Sequence, residues 1–551
     1  MGSSAEDAAL WREQAIKNPP RVRWAVAGLP GCAEVRDTVV VMKSSPPPVR
    51  HSLCVLAAAL GLGSAAHAQS IALPWSGHGH DAQHTGLSEV ASQPLNRIIW
   101  QKPVDLAPQY SGTTLYIHYG SPLITRQNTV IFPVKTGAYD GFRIEARAAT
   151  DGSLLWMQAT DYSLPAHGWT PPCGIALTPK NRLWYPGAGG TVYFRETPDA
   201  ATGASGQVAF YGLANYQADP ATFNANVKIN TPITSDRYGN IFFGFQVIGT
   251  TTPALQSGLA RIAEDGTGSW IAASAAATDA GIAKVVMNCA PALSNDHKTL
   301  YAAVSVGNYG GGYLVALDSR TLAPISKVRL KDVRVPGNDA LLLDDGTATP
   351  TVGPDGDVYL GAFDGPFGSH QYRGWLLHFD ATLAQTKTAG AFGWDQTASI
   401  VPASLVPGYA GTSPYLLLSK YNDYAGGAGG TGKNKVALLD PNDTMIEVSS
   451  GAMVMKEVHT ILGPTADDEY PGVPGAVREW CINTVAIDPI NKCACVHSED
   501  GKIYRWDFAT NTFTQTLTLT AGIGEAYTPS VIGVDGTVYV IANAILFAVG
   551  Q

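Results

Sequence analysis

A repeated segment limits the folds that this chain can adopt. Residues 144–156 read Ile-Glu-Ala-Arg-Ala-Ala-Thr-Asp-Gly-Ser-Leu-Leu-Trp, and residues 260–270 repeat the Ala-Arg, the Asp-Gly and the Trp at the same spacing. Looser copies share an Asp in a turn that follows an apolar strand, and they contain Asp199, Asp318, Asp380, Asp440 and Asp507. Self-similarity at a period of about 50 to 67 residues predicts a propeller, a solenoid or an array.

The composition favours short strands joined by tight turns. Of the 551 residues, 59 are glycine and 36 are proline, and 45% are hydrophobic. Glycine and proline at this frequency are typical of short strands that end in turns, and they disfavour long helices. The formal net charge of −9 disfavours a nucleic-acid-binding role, which needs a basic surface.

The N-terminal region has the pattern of a secretory signal peptide over residues 42–68. A Met-Lys pair opens it, an apolar run covers residues 53–63, and an Ala-x-Ala cleavage pattern ends at Ala68. The apolar run is too short to span a bilayer, and the sequence has no other long apolar run, so we expect no membrane span. The mature protein is therefore expected in the periplasm or outside the cell.

The same pattern divides the chain into four parts. Residues 1–41 precede the signal peptide and are interpreted as an upstream start assigned in error or as a disordered leader. Residues 69–94 are interpreted as a lead-in segment that packs on the repeat domain, which covers residues 95–551.

The repeat resembles that of pyrroloquinoline quinone (PQQ)-like β-propellers, which also combine an apolar strand, a small residue, an Asp turn and a closing Trp. The resemblance covers residues 95–551 and implies an all-β ring of four-stranded antiparallel blades. It also implies structural roles for residues of the repeat, with the tryptophans docked between neighbouring blades: Trp156, Trp270, Asp318, Asp440 and Asp507.

Eight blades can be counted along the chain. Seven full units and a shorter eighth unit begin near Pro122, Gly174, Pro232, Pro291, Pro350, Ser399, Asn483 and Pro529. The last unit has room for three strands only, and the segment 97–101 can supply the fourth, which closes the ring and removes a free sheet edge. Seven blades is the alternative, because residues 397–480 are irregular.

The loops of such blades lie on two faces. With strands A to D in order, the A–B and C–D turns share one face and are short here. The B–C and D–A loops share the other face and are long and varied, as in residues 364–374 and 460–480. Function usually lies on loops held by a rigid scaffold, so we expect the long-loop face to be the functional face.

The residues that precede each strand A should surround the central axis at this face. They combine acids, histidines and aromatic rings: His118, Tyr119, His167, Trp169, Asn230, Asn288, Cys289, Asp344, Asp345, Trp394, Asp395, Gln396, Glu479, Trp480, Cys481, Glu525 and Tyr527. Such a mixture suits a polar small-molecule pocket with stacking walls. The alternative is that these side chains cap strand ends and bind water.

From this set we select candidates by chemistry. Asp345, Asp395 and Glu479 are the candidate catalytic acids and bases. The candidate cofactor-binding residues are Trp169, Asn288, Trp394 and Trp480. The family resemblance implies PQQ with Ca²⁺ at the funnel mouth, and Glu479 and Asn288 would be the metal ligands in that case.

Three functions compete. The first is a binding or scaffold module that uses its long-loop face and central funnel, with a small molecule, protein or glycan as partner and no cofactor. The second is a PQQ- and Ca²⁺-dependent quinoprotein dehydrogenase that oxidises an alcohol or a sugar. The adjacent Cys-Cys pair of that family is absent here, which favours the first. The third is a hydrolase or lyase with an acidic site at the funnel mouth. We expect a monomer in each case.

Cysteines and clustered histidines invite further site interpretations. Cys173, Cys289 and Cys481 precede strand A in three blades, where they either face one another or pack as small apolar residues, and packing is favoured. Cys493 and Cys495 lie on one strand face and are expected to pack. The histidines at 78, 80 and 84 in the lead-in segment suit either a metal site or a structural role, and the structural role is favoured.

Overall fold

The chain forms a ring of eight four-stranded antiparallel blades, in a computed structural model that describes residues 75–111, 114–522 and 528–551. The predicted eight-bladed architecture is confirmed, and the seven-bladed alternative is wrong. The predicted signal peptide lies outside the described residues, as do Glu525 and Tyr527. In the part of the chain that is described, no helix is long and apolar enough to cross a membrane.

Each blade runs from strand A at the axis to strand D at the rim, in chain order except in blade 8, whose strand D is the N-terminal strand. Strands A to D are, for blade 1, Leu123–Ile124, Thr129–Lys135, Phe142–Ala148 and Leu154–Thr160; for blade 2, Ala176–Leu177, Leu183–Pro186, Thr191–Arg195 and Ser205–Ala209; and for blade 3, Thr234–Ser235, Ile241–Val247, Gly258–Ile262 and Gly268–Ala272. They are, for blade 4, Ala292–Leu293, Thr299–Ser305, Gly312–Asp318 and Pro324–Arg329; for blade 5, Thr351–Val352, Val358–Ala362, Trp375–Phe379 and Thr386–Gly390; and for blade 6, Ser399–Pro402, Tyr415–Tyr421, Lys435–Ile446 and Met453–Leu462. They are, for blade 7, Ala486–Asp488, Cys493–His497, Lys502–Asp507 and Thr512–Thr518; and for blade 8, Val531–Ile532, Val538–Ala542, Ile545–Gly550 and Arg97–Pro103.

Shorter elements lie within or between the blades; among them, Val227–Ile229 pairs with the second strand of blade 3 and Lys284–Val285 with the second strand of blade 4. They comprise the strands Tyr110–Ser111, Thr114–Leu115, Val227–Ile229 and Lys284–Val285, the helices Leu213–Ala218, Pro220–Asn226 and Ala273–Ala276, and the 3-10 turns Ala188–Gly190, Ala403–Leu405 and Gly426–Ala428.

Burial along the strands explains their sequences. All seven residues of Thr129–Lys135 are buried, because this second strand lies between neighbouring blades on both faces. The rim strand Thr512–Thr518 alternates exposed and half-buried residues, which matches the two-residue period of a strand with one face in solvent. The core therefore lies between the blades.

The N-terminal strand closes the ring as predicted. Strand Arg97–Pro103 pairs antiparallel with strand Ile545–Gly550 of the C-terminus. The indole of Trp100 on this strand reaches the next blade, where its Nε1 donates to the carbonyl of Ala149 at 2.7 Å. Closure thus removes a free edge and ties blade 8 to blade 1.

The two repeat tryptophans differ in their packing. The side chain of Trp156 extends from the rim of blade 1 to blade 2. There its Nε1 donates to the carbonyl of Pro198 at 2.6 Å, and the guanidinium of Arg195 lies 4.3 Å from the centre of its ring. Trp270 has the equivalent strand position, but its ring packs edge-on against Phe245 of its own blade at 6.0 Å. Only the first of the pair is shown to dock across blades.

The repeat aspartates organise turns. The carboxylate of Asp318 accepts the backbone N–H of Thr321 at 2.8 Å, and that of Asp507 accepts the N–H of Thr510 at 2.8 Å. Asp440 likewise accepts the backbone N–H of Asn442 at 2.9 Å, and it also accepts the hydroxyl groups of Tyr409 and Ser413.

The lead-in segment crosses the inner strands at the short-turn face. Its backbone carbonyls or amides bond to the first strands or adjoining turns of seven blades, every blade except blade 3. The bonds run from the N–H to the carbonyl in the pairs Ile124–Trp75, Leu177–Ser76, Leu293–Ala82, Val352–Gln83, Ile400–Thr85, Ile487–Gly86, Ser88–Ile487 and Gln93–Gly536. This segment therefore links the blades around the axis.

The irregular stretch near residue 440 is an arm of blade 6. Its third strand continues past a register shift between Asp440 and Thr444 and returns as the fourth strand. Met445 and Val454 on the arm pack with Trp375 of blade 5. This excursion explains why the sequence of this blade breaks the repeat pattern.

Candidate functional site

The segments that precede each strand A, here called the axial segments, are bonded to one another around the mouth. Asn288 Nδ2 of blade 4 donates to the carbonyl of Asp344 of blade 5 at 2.8 Å. Asn483 Nδ2 of blade 7 donates to the carbonyl of Thr347 at 2.7 Å. Polar side chains at the mouth therefore serve in part to join the axial segments.

His118 carries this bonding across the axis. It precedes blade 1, yet its Nε2 donates to the carbonyl of Asp345 before blade 5 at 2.9 Å. The imidazole stacks on the ring of Trp169, which precedes blade 2, at 5.4 Å between ring centres. The backbone N–H of Trp169 donates to the carboxylate of Asp345 at 3.0 Å. Because blades 1 and 5 are opposite in a ring of eight, these contacts bridge the funnel mouth.

Burial sets the charge state of this bridge. Desolvation lowers the pKa of His118 to about 4, with Lys420 acting in the same direction and Asp395 opposing it. Desolvation also raises the pKa of Asp345, with Asp344 adding to the effect. His118 is thus a neutral imidazole at neutral pH.

We expect His118 to make the protein less stable in mild acid. An unfolded histidine binds a proton below about pH 6.5, whereas folded His118 stays neutral down to about pH 4. Protonation favours the unfolded state in this window, so stability falls as the pH falls through it, by about 2 kcal/mol between pH 7 and pH 5. Urea unfolding of the His118→Gln variant at both pH values should show a weaker pH dependence than wild type; an equal dependence would contradict this assignment.

Asp395 is held by an ion pair. Lys420 Nζ lies 3.1 Å from one carboxylate oxygen, both side chains are buried, and Thr347 Oγ1 donates to the other oxygen at 2.9 Å. A carboxylate with both oxygens engaged is a poor general base. The predicted catalytic role of Asp395 finds no support in this geometry.

Two further predicted residues do not join the bridge. The ring of Trp480 is fully buried between Tyr504, at 5.9 Å, and Phe513, at 5.8 Å, so it packs within the core of blade 7. Glu479 is half-buried, and its backbone N–H bonds to the carboxylate of Glu499 at 3.0 Å. Asn288 is buried and bonds to the axial segment of blade 5, as above.

This arrangement does not fit the quinone and calcium set that the resemblance implies. Within residues 75–111, 114–522 and 528–551, the one group of three or more acidic, histidine or cysteine ligand atoms that converges is Asp467, Glu469 and Glu499. Arg478 already inserts there, with its Nη1 3.4 Å from Glu499 and 3.5 Å from Glu469. The predicted acids Glu479, Asp345 and Asp395 do not converge, and the His118 bridge occupies the mouth.

The three lead-in histidines do not form a convergent group either, among the residues described. His84 Nδ1 donates to the carbonyl of Pro350 at 2.8 Å, which ties the segment to blade 5. Burial, with His84 as a like-charge neighbour, lowers the pKa of His78 to about 3.

A second feature of this face is a cluster of aromatic rings between blades 4 and 5. Tyr309 from the B–C loop of blade 4 lies 5.5 Å from Phe367 of the B–C loop of blade 5. Phe367 in turn contacts Phe363 at 5.1 Å and Tyr372 at 5.3 Å, and Phe363 contacts Trp394 at 5.3 Å. Tyr309 is 46% exposed, so the array is open to solvent at one end.

Four buried polar atoms on or near the residues of this cluster have no hydrogen-bond partner within the described structure. They are Trp394 Nε1, Asp364 Oδ1, Ser369 Oγ and Gln371 Oε1. Native proteins pair nearly all buried polar atoms, so a cluster of unpaired ones requires an explanation.

Three residues of these loops, Tyr309, Gln371 and Tyr372, adopt positive φ values of 57°, 56° and 61°. Fourteen other non-glycine residues of the described chain also have positive φ, so this conformation does not single out the cluster. Of the rings in the cluster, the sequence pattern selected only Trp394, and the length of the loop 364–374 was the one other signal.

The comparisons identify the class of the fold. The chain is an eight-bladed β-propeller, and it is similar in fold to solved structures of other proteins. A europium-containing methanol dehydrogenase matches with a TM-score of 0.53 and 10% identity over 86% of this chain and 89% of its own. The quinohemoprotein alcohol dehydrogenase from Comamonas testosteroni matches with a TM-score of 0.50 and 12% identity over 88% of this chain and 78% of its own.

BamB from Moraxella catarrhalis matches with a TM-score of 0.40 and 14% identity over 78% of this chain and 96% of its own. No family model and no curated protein matches the sequence. At these identities the likeness to the first two structures shows the fold alone.

The cysteines of the described residues are buried and none of them is in a disulfide: Cys173, Cys289, Cys481, Cys493 and Cys495. Burial raises the pKa of Cys289 to about 12 and raises those of Cys173 and Cys493 further. Thiols react as thiolates, so these five should be inert.

We therefore expect at most two of the seven thiols of the full chain to react quickly with a chromogenic disulfide reagent under native conditions. Those two are Cys32 and Cys54, which lie outside the described residues. All seven should react after unfolding in urea, and fast native reaction of more than two would show that a buried position is accessible.

Proposed function

We propose that this protein is a non-catalytic binding module that acts through its long-loop face. The observation that carries the proposal is the bridge from His118 to Asp345, which spans the funnel mouth where a dehydrogenase cofactor would lie. The bridging imidazole is neutral, and Asp395 is held by Lys420, so these groups suit a rigid support more than acid–base catalysis.

Exposed apolar side chains support this choice of face. Of the large hydrophobic residues that are exposed in the described structure, seven lie on the long-loop face: Leu106, Tyr110, Tyr139, Ile248, Val306, Tyr309 and Val335. Two, Tyr238 and Ile490, lie on the short-turn face, and the other seven lie along the rim strands or on the blade 6 arm. Exposed apolar groups on one face are typical of a surface that binds a partner.

The predicted signal peptide completes the proposal. The module would act as a monomer in the periplasm or outside the cell, on a protein, glycan or small molecule. A quinoprotein dehydrogenase is the alternative, and its cofactor requires carboxylates that converge at the mouth, unlike Glu479, Asp345 and Asp395.

Two experiments test the proposal. Titration of the full chain with PQQ and Ca²⁺, with dye reduction as the readout, should give neither saturable binding nor turnover of alcohols or sugars; turnover would overturn it. A photoreactive amino acid placed at Tyr309 should capture a defined partner in cells, and the same group at Tyr238, a comparably exposed tyrosine of the short-turn face, should not. Equal capture at both positions would contradict the assignment of the face.

A further inference from the structure

Asp345 carries a carboxylate at the funnel mouth that has no Lys or Arg partner within the described structure. Its side chain is half-buried, and the backbone N–H groups of Trp169, at 3.0 Å, and of Gly168 bond to it. His167 is the basic side chain whose charge acts on it. Desolvation raises the pKa of Asp345, and a cation that reached the carboxylate would lower it again.

The carboxylate of Asp345 lies beside exposed parts of the mouth. Gly168 is exposed, and a Cβ atom at that position would lie 3.1 Å from both carboxylate oxygens, so the absence of a side chain there leaves the carboxylate uncovered. Tyr309 is 46% exposed. Desolvation raises the pKa of Tyr309 to about 12, and the charge of Asp345 contributes to the rise. An exposed aromatic residue therefore lies near an accessible carboxylate.

These two groups restrict the chemistry of a ligand at the mouth. The adjacent Asp344 already has Lys284 as its ion-pair partner, so Asp345 carries the charge that a ligand could compensate. An anion would be repelled, and a neutral group would leave this charge uncompensated. A metal ion needs several ligand atoms that converge, and within the described residues no such group includes Asp345. An organic cation that donates hydrogen bonds matches both a carboxylate and the face of a tyrosine ring.

We propose that Asp345 and Tyr309 recognise an arginine side chain of a protein partner that docks on the long-loop face. The inference rests on the proposed function and names the chemistry of its partner. A guanidinium group is planar, so it can stack on a tyrosine ring while its N–H groups donate to a carboxylate. Val306, three residues before Tyr309, is 45% exposed and offers apolar surface to the rest of the partner. Tyrosine and arginine are both enriched among the residues that contribute most to protein interfaces.

The test measures binding of N-acetyl-arginine amide to the full chain by ligand-observed NMR. N-acetyl-citrulline amide is the uncharged control of nearly equal shape, and the comparison on the wild-type protein does not depend on any variant. The arginine derivative should bind saturably, with Kd of about 10 mM or tighter, and the citrulline derivative should bind about tenfold more weakly or less.

Variants locate the site. Asp345→Asn should weaken binding of the arginine derivative by about tenfold or more, because it removes the charge but keeps an acceptor for the N–H of Trp169. Tyr309→Ala should weaken it by about threefold or more. The matched controls are Asp140→Asn and Tyr139→Ala, which alter an exposed carboxylate and an exposed tyrosine elsewhere on the same face and should bind like wild type. All four variants should keep the wild-type melting temperature.

Failure of this inference can be distinguished from failure of the proposed function. Equal binding of the two derivatives, no saturable binding of either, or an equal loss in Asp140→Asn would overturn the arginine site. If the photoreactive group at Tyr309 captured a defined partner and Asp345→Asn left that capture unchanged, the binding module would stand and the arginine site would not. Turnover with PQQ and Ca²⁺ would instead overturn the proposed function itself. Loss of the capture in Asp345→Asn, together with charge-selective binding, would support both.

Discussion

Replacement of Glu447 by alanine should destabilise the protein by about 3 to 5 kcal/mol, because it removes one partner of a buried ion pair. Glu447 lies at the tip of the blade 6 arm and is buried against blade 5. Its carboxylate lies 2.7 Å from Arg373 Nη2 and 3.0 Å from His370 Nε2. It also accepts the hydroxyl groups of Tyr421, at 2.9 Å, and Ser449, at 2.7 Å.

The loss is large because the partners cannot reach water. Arg373 is 2% exposed and would keep its charge, with the more distant carboxylate of Asp423, 3.6 Å from its Nη1, as its remaining counterion. The acid also responds to pH: burial alone would raise the pKa of Glu447, but the hydrogen bond of His370 and the charge of Arg373 outweigh it and hold the pKa far below its usual range. This stabilisation is therefore present above about pH 4.3, the unfolded value, and is lost only as the pH falls toward the folded pKa.

The measurement is the urea midpoint of Glu447→Ala and Glu447→Gln against wild type at pH 7. Glutamine keeps the shape and some hydrogen bonds, so it should lie between alanine and wild type. Asp443→Ala is the control on the same arm, since Asp443 forms an exposed pair with Lys456 at 2.7 Å, and its midpoint should not change. Equal midpoints for Glu447→Ala and Asp443→Ala would show that the arm does not need its buried charge.

The sequence predicts those parts of the fold that local chemistry determines. Each turn carries its own Asp or Gly, as at Asp318 and Asp507, so the blades could be counted from one-dimensional spacing. The closing strand was predictable because the last repeat lacks one strand. The arm of blade 6 was not, since its register shift after Asp440 depends on packing against blade 5.

The candidate site was predicted less well because it depends on distances around a ring. The spacing placed His118 and Asp345 at the mouth, but only the closure of eight blades brings His118 Nε2 to 2.9 Å from the carbonyl oxygen of Asp345. Trp480 belongs to an axial segment as predicted, yet its ring packs in the core, and spacing alone does not give the direction of a side chain. Tyr309 was not predicted, because the ring that it contacts, Phe367, belongs to another blade.

Deletion of residues 1–94 should prevent formation of a stable ring, whereas deletion of residues 1–74 should leave it intact. The second deletion removes the predicted leader and signal peptide with six further residues, and it keeps Trp75 and the backbone bonds of the lead-in segment. The first also removes the lead-in segment, with its backbone bonds to seven blades and the fully buried ring of Trp75. At about 1 kcal/mol for each hydrogen bond and 3 to 5 kcal/mol for the indole, the loss is comparable with the whole stability of a typical protein, about 5 to 15 kcal/mol.

Both deletions can be compared by thermal unfolding and by sedimentation, since an unlinked ring would unfold early or aggregate. A point variant isolates the local cause. The carboxylate of Asp81 accepts the N–H groups of Gln83, at 3.0 Å, and Thr85, at 3.1 Å, and so shapes the segment. Asp81→Ala should therefore also lower the melting temperature, but by less than the deletion of residues 1–94. Cooperative unfolding of the 1–94 deletion at the wild-type temperature would show that blade packing alone holds the ring, with the lead-in segment as a passive cover.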